Sequence, residues 1–427
     1  MLAAALLIAM YPDWVPARWP SSDVKSLELV ANTPINCLWL ERPQWSSEFA
    51  AEAARRGIAT LGVIHREGDP IGAATALAKS GLTGGVVEGN FDDYSLMIIT
   101  ATLAKAKMTF IVSGSRSALH LDAPENGRTP ILATSQGLWP GIHVEKGSDA
   151  SAGPTANPWI DTNTGFLRYA RASSQAAIWM AVQPPAASAY PVTRYLQAIG
   201  DAAMNGARWV VSLDDDLRRR LLAREPKALR DWAQISAALR HFEDHKEWRA
   251  TAPAGRIAIV QDEVQARLSG GLFDMLAAKH MPVFAEPRLK TTGLDKAGKL
   301  VFEAPPVQAP DANDFVYSQK DTSVNTAWQR VSGEVGRQNM GARLFNVAGM
   351  LSHLVALKGQ RQLVLHLVNY SDYPASGITA RVLGTYTKAR LFRPGEAPVD
   401  LETEKVEDGT GFAIDQRIVT IATVVLE

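Results

Sequence analysis

Seven short apolar runs divide the first half of the chain, and they restrict its fold more than any other feature. They occupy residues 34–41 (PINCLWLE), 58–64 (IATLGVI), 82–88 (LTGGVVE), 108–113 (MTFIVS), 130–136 (PILATSQ), 176–183 (AAIWMAVQ) and 207–214 (ARWVVSLD). Runs of this length, separated by helical stretches, read as parallel strands buried on both faces. The stretches between them carry helix punctuation. Residues 46–56 have Ser46 or Ser47 as a cap and Gly57 after their end, and residues 70–80 lie between Asp69 and Gly81. Residues 94–106 and 190–205 are further candidates, and 226–248 repeat Leu229, Trp232, Ile235, Leu239 and Phe242 at three- and four-residue spacing. Strand and helix in alternation predict a (β/α)8-type barrel over residues 1–250. Only seven strands are legible, so the Gly-, Pro- and Ser-rich stretch 139–173 is expected to hold an irregular eighth strand or a large loop.

After a linker-like TAPAG at 251–255, residues 256–262 (RIAIVQD), a helix at 270–279 and residues 281–285 (MPVFA) form a β-α-β unit. This predicts a small Rossmann-like domain over 251–325. The Ser269-Gly-Gly271 turn lacks the G-x-G-x-x-G spacing, so it does not announce a nucleotide site. A Pro-rich connector at 304–314 precedes helices expected at 326–337 and 342–357. Residues 362–369, 378–383, 389–393 and 418–426 then alternate between turn residues, which predicts a C-terminal antiparallel β-sandwich within 326–427.

Charge excludes some functions. Lys plus Arg and Asp plus Glu number 44 each, so no electrostatic footprint calls for nucleic acid. The run at 1–10 (MLAAALLIAM) is too short to span a bilayer, so no integral membrane segment is expected. It reads as the apolar core of an export signal, or else as a first element packed on the barrel. Cys37, the single cysteine, precludes an intramolecular disulfide and reads as a small buried hydrophobe. Eleven tryptophans suit a protein that stacks on sugar faces, although tryptophan fills cores equally well. The oligomeric state is open.

The segments Leu365-His-Leu-Val-Asn-Tyr-Ser371, Ala389-Arg-Leu-Phe-Arg-Pro394 and Gly409-Thr-Gly-Phe412 resemble the small β-sandwich that closes many glycoside hydrolases. Barrel, Rossmann-like module and sandwich are similar in order to β-galactosidase-like hydrolases whose middle domain looks like a glutamine amidotransferase. The resemblance implies a carbohydrate substrate and a barrel active site. Those enzymes carry Asn-Glu after the fourth strand and a second Glu after a later one. Here the fourth legible strand ends Ser113-Gly-Ser-Arg116, without a carboxylate, so no catalytic residue is carried over by position. Amidotransferase chemistry needs a cysteine nucleophile, and the middle segment has none.

In a parallel barrel, polar residues at the C-terminal strand ends point into the active-site mouth. Glu41, Glu88, Gln136, Trp139, Gln183 and Asp214 qualify. Glycoside hydrolysis needs two carboxylates flanking one bond. Glu88, followed by a Gly-Asn exit, and Asp214 are the expected catalytic pair. Asp214-Asp-Asp216 repel one another, which suits one of them to proton transfer, but at least one of the three is expected to cap the following helix. In Asn157-Pro-Trp-Ile-Asp-Thr-Asn163, Trp159 offers a stacking plane and Asp161 and Asn163 offer hydroxyl-binding groups. Glu41, Gln136, Trp139 and Asp215 complete the substrate-binding set, with an ion pair to an arginine as the plainer role for Glu41. His241 and His245 lack the H-E-x-x-H order and read as a solvated helix face, and no G-x-S-x-G elbow occurs. No metal and no cofactor are expected. The reading is a glycoside hydrolase cleaving an oligo- or polysaccharide. Its rival is a non-catalytic carbohydrate-binding or scaffold protein on a degenerate barrel.

Overall fold

The computed structural model describes residues 13–116, 119, 131–142, 160–174, 176–249, 251–254, 257–260, 277, 280, 282–286, 293–294, 300–303, 333, 341–347, 349–357, 361–407 and 409–427. The chain divides into two compact units. One comprises residues 1–137, 174–190 and 207–239, the other 138–173, 191–206 and 240–427.

The first unit carries a parallel sheet of eight strands: β1 (Pro16–Arg18), β2 (Cys37–Leu40), β3 (Ala59–His65), β4 (Gly84–Glu88), β5 (Thr109–Gly114), β6 (Ile131–Thr134), β7 (Ala177–Met180) and β8 (Ala207–Trp209). Each strand pairs with the next in sequence. The Arg18 amide donates to the Val211 carbonyl at 2.8 Å, and the Val211 amide donates to the Pro16 carbonyl at 3.1 Å, which closes β8 onto β1 as a barrel. All seven apolar runs are strands. The eighth strand of the sheet is β1; the described residues of 139–173 hold two short strands, Gly141–Ile142 and Ile160–Asp161, that pair with each other instead.

Local chemistry sets the element ends. Ser46 Oγ accepts from the Phe49 amide at the start of α1 (Ser47–Arg55), and Asp69 caps α2 (Pro70–Leu77) through the Gly72 amide. Asp92 caps α3 (Asp93–Lys105) through the Ser95 amide. The glycines of β4, which could pass for a loop, are required by packing: a Cβ on Gly84 would collide with the Thr109 carbonyl oxygen of the neighbouring strand.

Helices α4 (Thr164–Ser173) and α5 (Val192–Met204) belong to the second unit; α6 (Asp215–Leu222) lies in the first, and α7 (Pro226–Glu243) ends beyond the division. On α7, Trp232, Ile235, Leu239 and Phe242 are buried as their spacing requires, whereas Leu229 is exposed.

In the second unit, Val283–Glu286, Ile257–Val260 and Leu300–Glu303 pair in parallel, with Gly293–Leu294 as an antiparallel edge. The expected helix 270–279 and connector 304–314 fall outside the described residues, apart from Ala277. Two antiparallel sheets follow. One orders Thr251–Pro253, Met350–Leu357, Leu363–Asn369, Ile421–Leu426, Ala389–Phe392 and Val399–Leu401; the other orders Ala342–Phe345, Ile378–Leu383, Gly409–Ile414 and Thr403–Val406. Leu365, Leu367 and Val424 from the first sheet share a core with Ile378, Val382 and Phe412 from the second, which makes a sandwich.

Two expectations change here. The TAPAG linker begins as a strand, and the helix expected at 342–357 is a pair of strands. Met350 and Leu354 face the sandwich core while Leu351 enters a separate cluster, so both faces of Met350–Leu357 are buried. Burial on both sides erases the period-two signal and leaves a Leu- and Ala-rich run that reads as helix.

Candidate active site

Side chains alternate across a strand, so the residues that fill the barrel fix which residues reach its mouth. Cys37, Trp39, Leu61, Val63, Val86 and Ile111 share the buried barrel core. Two residues beyond the last of these on each strand come Glu41, His65, Glu88 and Ser113. Trp14 belongs to the same core, and the same step of two leads through Pro16 to Arg18 on β1. Five consecutive strands therefore carry Arg18, Glu41, His65, Glu88 and Ser113 at their C-terminal ends, with His65, Glu88 and Ser113 directly in register.

Four of these chains join in one network. Arg18 donates through Nη2 to Glu88 Oε1 and through Nη1 to Glu41 Oε1 at 3.3 Å. His65 Nε2 lies 2.7 Å from Glu41 Oε2, and its Nδ1 lies 3.6 Å from Glu88 Oε2. The Arg18 guanidinium also sits 5.1 Å from the Trp39 ring centroid, which fixes its plane. The network has a buried and an accessible half. The side chains of Arg18 and Glu88 are 10% and 8% exposed, those of Glu41 and His65 each 40%.

Protonation follows the geometry. Partial burial pushes the Glu41 carboxyl upward, but the hydrogen bond and charge of His65, with the charge of Arg18, outweigh it and hold the group below its ordinary 4.5. The Glu41 hydrogen bond, reinforced by the charges of Glu41 and Glu88, raises His65 above its ordinary 6.5 against partial desolvation and the repulsion of Arg18. The pair thus favours the carboxylate at Glu41 and the imidazolium at His65, each relative to the isolated side chain.

The other sequence candidates are placed differently. Asp214 is buried and caps α6: its Oδ1 accepts from the Asp216 and Leu217 amides at 3.0 and 2.9 Å, and its Oδ2 accepts from the Tyr190 amide at 3.1 Å. Asp215 is exposed and pairs with Arg218 on the same helix. Gln136 supports Arg116, whose amide donates to Gln136 Oε1 at 2.8 Å and whose Nε donates to the Gln136 carbonyl at 3.0 Å. Gln183 is exposed.

Trp139 and Asn163 belong to the second unit. Trp139 packs edge-on against Tyr195, ring centroids 5.3 Å apart. Asn163 is buried, and its Nδ2 donates to the Leu138 carbonyl at 3.0 Å and to Asp201 Oδ2 at 2.9 Å. The buried side chain of Asn163 thus ties a loop to α5. Trp159 and the side chain of Asp161 lie outside the described residues, as does the 1–10 run.

His241, expected on a solvated face, is buried. Its Nε2 and His366 Nδ1 both meet the Thr423 hydroxyl, at 2.9 and 3.0 Å. Among the described residues no cluster of three His, Cys, Asp or Glu could hold a metal ion, and no helix is long and apolar enough to cross a membrane.

The network joins Glu41 and Glu88, which the sequence nominates, to Arg18 and His65, which it does not. With β1 included, β4 ends at Glu88, and the Ser113-Gly-Ser-Arg116 strand is the fifth. Glu88 therefore ends the fourth strand rather than the third.

No protein-family model matches the sequence, and no curated protein matches it. Among solved structures the chain is similar to alpha-L-fucosidase isoenzyme 2 from Paenibacillus thiaminolyticus, with a TM-score of 0.56 at 10% identity, over 97% of this chain and 99% of that one. An exo-carrageenase from Bacteroides ovatus gives a TM-score of 0.39 at 8% identity over 78% and 55% of the two chains. An alpha-amylase from Geobacillus thermoleovorans gives 0.30 at 10% identity over 95% and 91%. The chain thus shares with a glycoside hydrolase the fold of a (β/α)8 barrel followed by β domains.

Proposed function

We propose that this protein hydrolyses O-glycosidic bonds of an oligo- or polysaccharide at the C-terminal mouth of its barrel. The observation that carries the reading is the convergence of Arg18, Glu41, His65 and Glu88, from four consecutive strands, at the level where barrel enzymes place their chemistry. Two carboxylates of one cluster are what glycoside hydrolysis requires. Glu88, pinned by Arg18, faces the anomeric carbon as nucleophile or as counter-charge to the developing oxocarbenium ion. Glu41 is the second carboxylate. This moves the partner of Glu88 from Asp214, whose two oxygens already accept three backbone amides, to Glu41. The fold shared with an alpha-L-fucosidase supports the substrate class and leaves the sugar open.

One observation favours the rival reading of a carbohydrate-binding protein: the Arg18 guanidinium engages both carboxylates. The accessible Glu41–His65 half favours catalysis. Turnover on a panel of 4-nitrophenyl glycosides decides between them. Native protein should hydrolyse at least one, and Glu88→Gln should lose at least about a thousandfold in kcat while keeping its affinity for the sugar. A native protein that binds sugars and turns over none of the panel is a binder.

A further inference from the structure

The proposed chemistry needs a proton on the leaving oxygen, and the network limits where it can reside. Glu41 faces a guanidinium on one oxygen and an imidazole on the other. Glu88 takes Arg18 through Oε1, and its Oε2 lies 3.6 Å from His65 Nδ1. Each carboxylate thus meets a cationic partner, and at Glu41 these partners favour carboxylate over carboxylic acid. His65 is the one member of the network that both titrates and holds its proton in the charged form.

Resting on the glycosidase reading, we infer that His65, rather than a carboxyl group, delivers the proton to the leaving oxygen, from Nδ1, while Glu41 orients the ring through Nε2. The two nitrogens divide the work. Nε2–H is engaged by Glu41 at 2.7 Å, whereas Nδ1 points toward Glu88 at a distance too long for a hydrogen bond.

In the bond-breaking step the anomeric C–O bond breaks and its electron pair stays on the leaving oxygen, which takes the Nδ1 proton. Glu88 then bonds to the anomeric carbon or shields its charge. Water then attacks that carbon; any Glu88–carbon bond breaks with its electron pair returning to the Glu88 carboxylate, and the proton released from water returns to His65 Nδ1. Retaining sites hold their two groups roughly 5 Å apart, so the substrate must widen the Nδ1–Glu88 gap. His65 and its partner Glu41 are both 40% exposed and can move together, whereas Glu88 is held by the buried guanidinium. The charged groups facing the ring are Glu41 from β2, Glu88 from β4 and Arg18 from β1. The two carboxylates outweigh Arg18 and raise the proton affinity of the imidazole, the direction a proton donor needs.

Leaving-group dependence tests the assignment. A 2,4-dinitrophenyl glycoside departs without a proton, whereas a methyl glycoside needs one. His65→Gln, which can keep the Glu41 hydrogen bond, should lose about 100-fold or more on methyl glycosides and less than about tenfold on dinitrophenyl glycosides. Glu88→Gln should lose both activities. Equal losses for His65→Gln on the two leaving groups, with Glu88→Gln inactive, would overturn the role of His65 and leave the glycosidase reading standing. Native protein inactive on both substrate types would overturn that reading and the proposal with it. Imidazole titration by NMR gives a second readout: the His65 midpoint should lie above 6.5 and fall in Glu41→Gln. A native midpoint below 6.5 contradicts the proposal.

Discussion

The paired histidines of the second unit make it acid-sensitive by an amount the structure allows to be worked out. His241 and His366 flank the Thr423 hydroxyl, and burial, with mutual repulsion adding to it at His241, pushes each down to about 3. The folded values lie below the ordinary 6.5, so the stability tied to keeping both neutral is complete above 6.5 and is lost as the pH falls from there toward 3. At about pH 5 each histidine forfeits roughly 1.5 pH units, or about 2 kcal/mol, and the pair about 4 kcal/mol at most. That is a large share of a typical total stability of about 5–15 kcal/mol. The perturbation is His241→Gln with His366→Asn, whose amides can replace the Nε2 and Nδ1 bonds to Thr423. Urea unfolding followed by tryptophan fluorescence, at about pH 7.5 and about pH 5, should show the native protein losing roughly 2–4 kcal/mol more than the double variant across that interval. The variant should be less stable at neutral pH, because His366 also packs against Trp248 and Phe242. An unchanged pH dependence in the variant would show that these two histidines do not titrate on unfolding and would refute the reasoning.

Two further outcomes follow from packing and charge in the barrel. Arg18→Met should destabilise by about 3–5 kcal/mol because it strands the buried Glu88 carboxylate, and adding Glu88→Leu should recover much of the loss; a denaturant double-mutant cycle measures the coupling. Gly84→Ala should cost about 1–3 kcal/mol in thermal or urea unfolding, since its Cβ collides with the Thr109 carbonyl oxygen, and a neutral effect would mean that β4 and β5 can move apart.

The sequence revealed most of the barrel because parallel strands covered on both faces leave continuous apolar runs. β1 escaped because Pro16–Arg18 is a three-residue strand, Pro-Ala-Arg, with a proline and a charge and no apolar run of its own. Missing it hid Arg18 and lowered the count of every later strand by one, so the strand ending at Glu88 read as the third. His65 was within reach, because Leu61, Val63 and His65 follow one alternation, but the apolar run stops at Ile64. Asp214 misled for a local reason: an acid at a strand end is also the preferred cap of the next helix, and here the cap claims it. Asn163 misled in the same way, since hydroxyl-binding groups serve equally well in a buried clamp.

The placement of the site is tested most directly by kcat for Glu88→Gln and Asp214→Asn on one glycoside that the native protein hydrolyses. We expect a loss of about a thousandfold or more for Glu88→Gln and less than about tenfold for Asp214→Asn, with both variants folded. The reverse order would move the chemistry away from the Arg18–Glu41–His65–Glu88 network and contradict the proposed site.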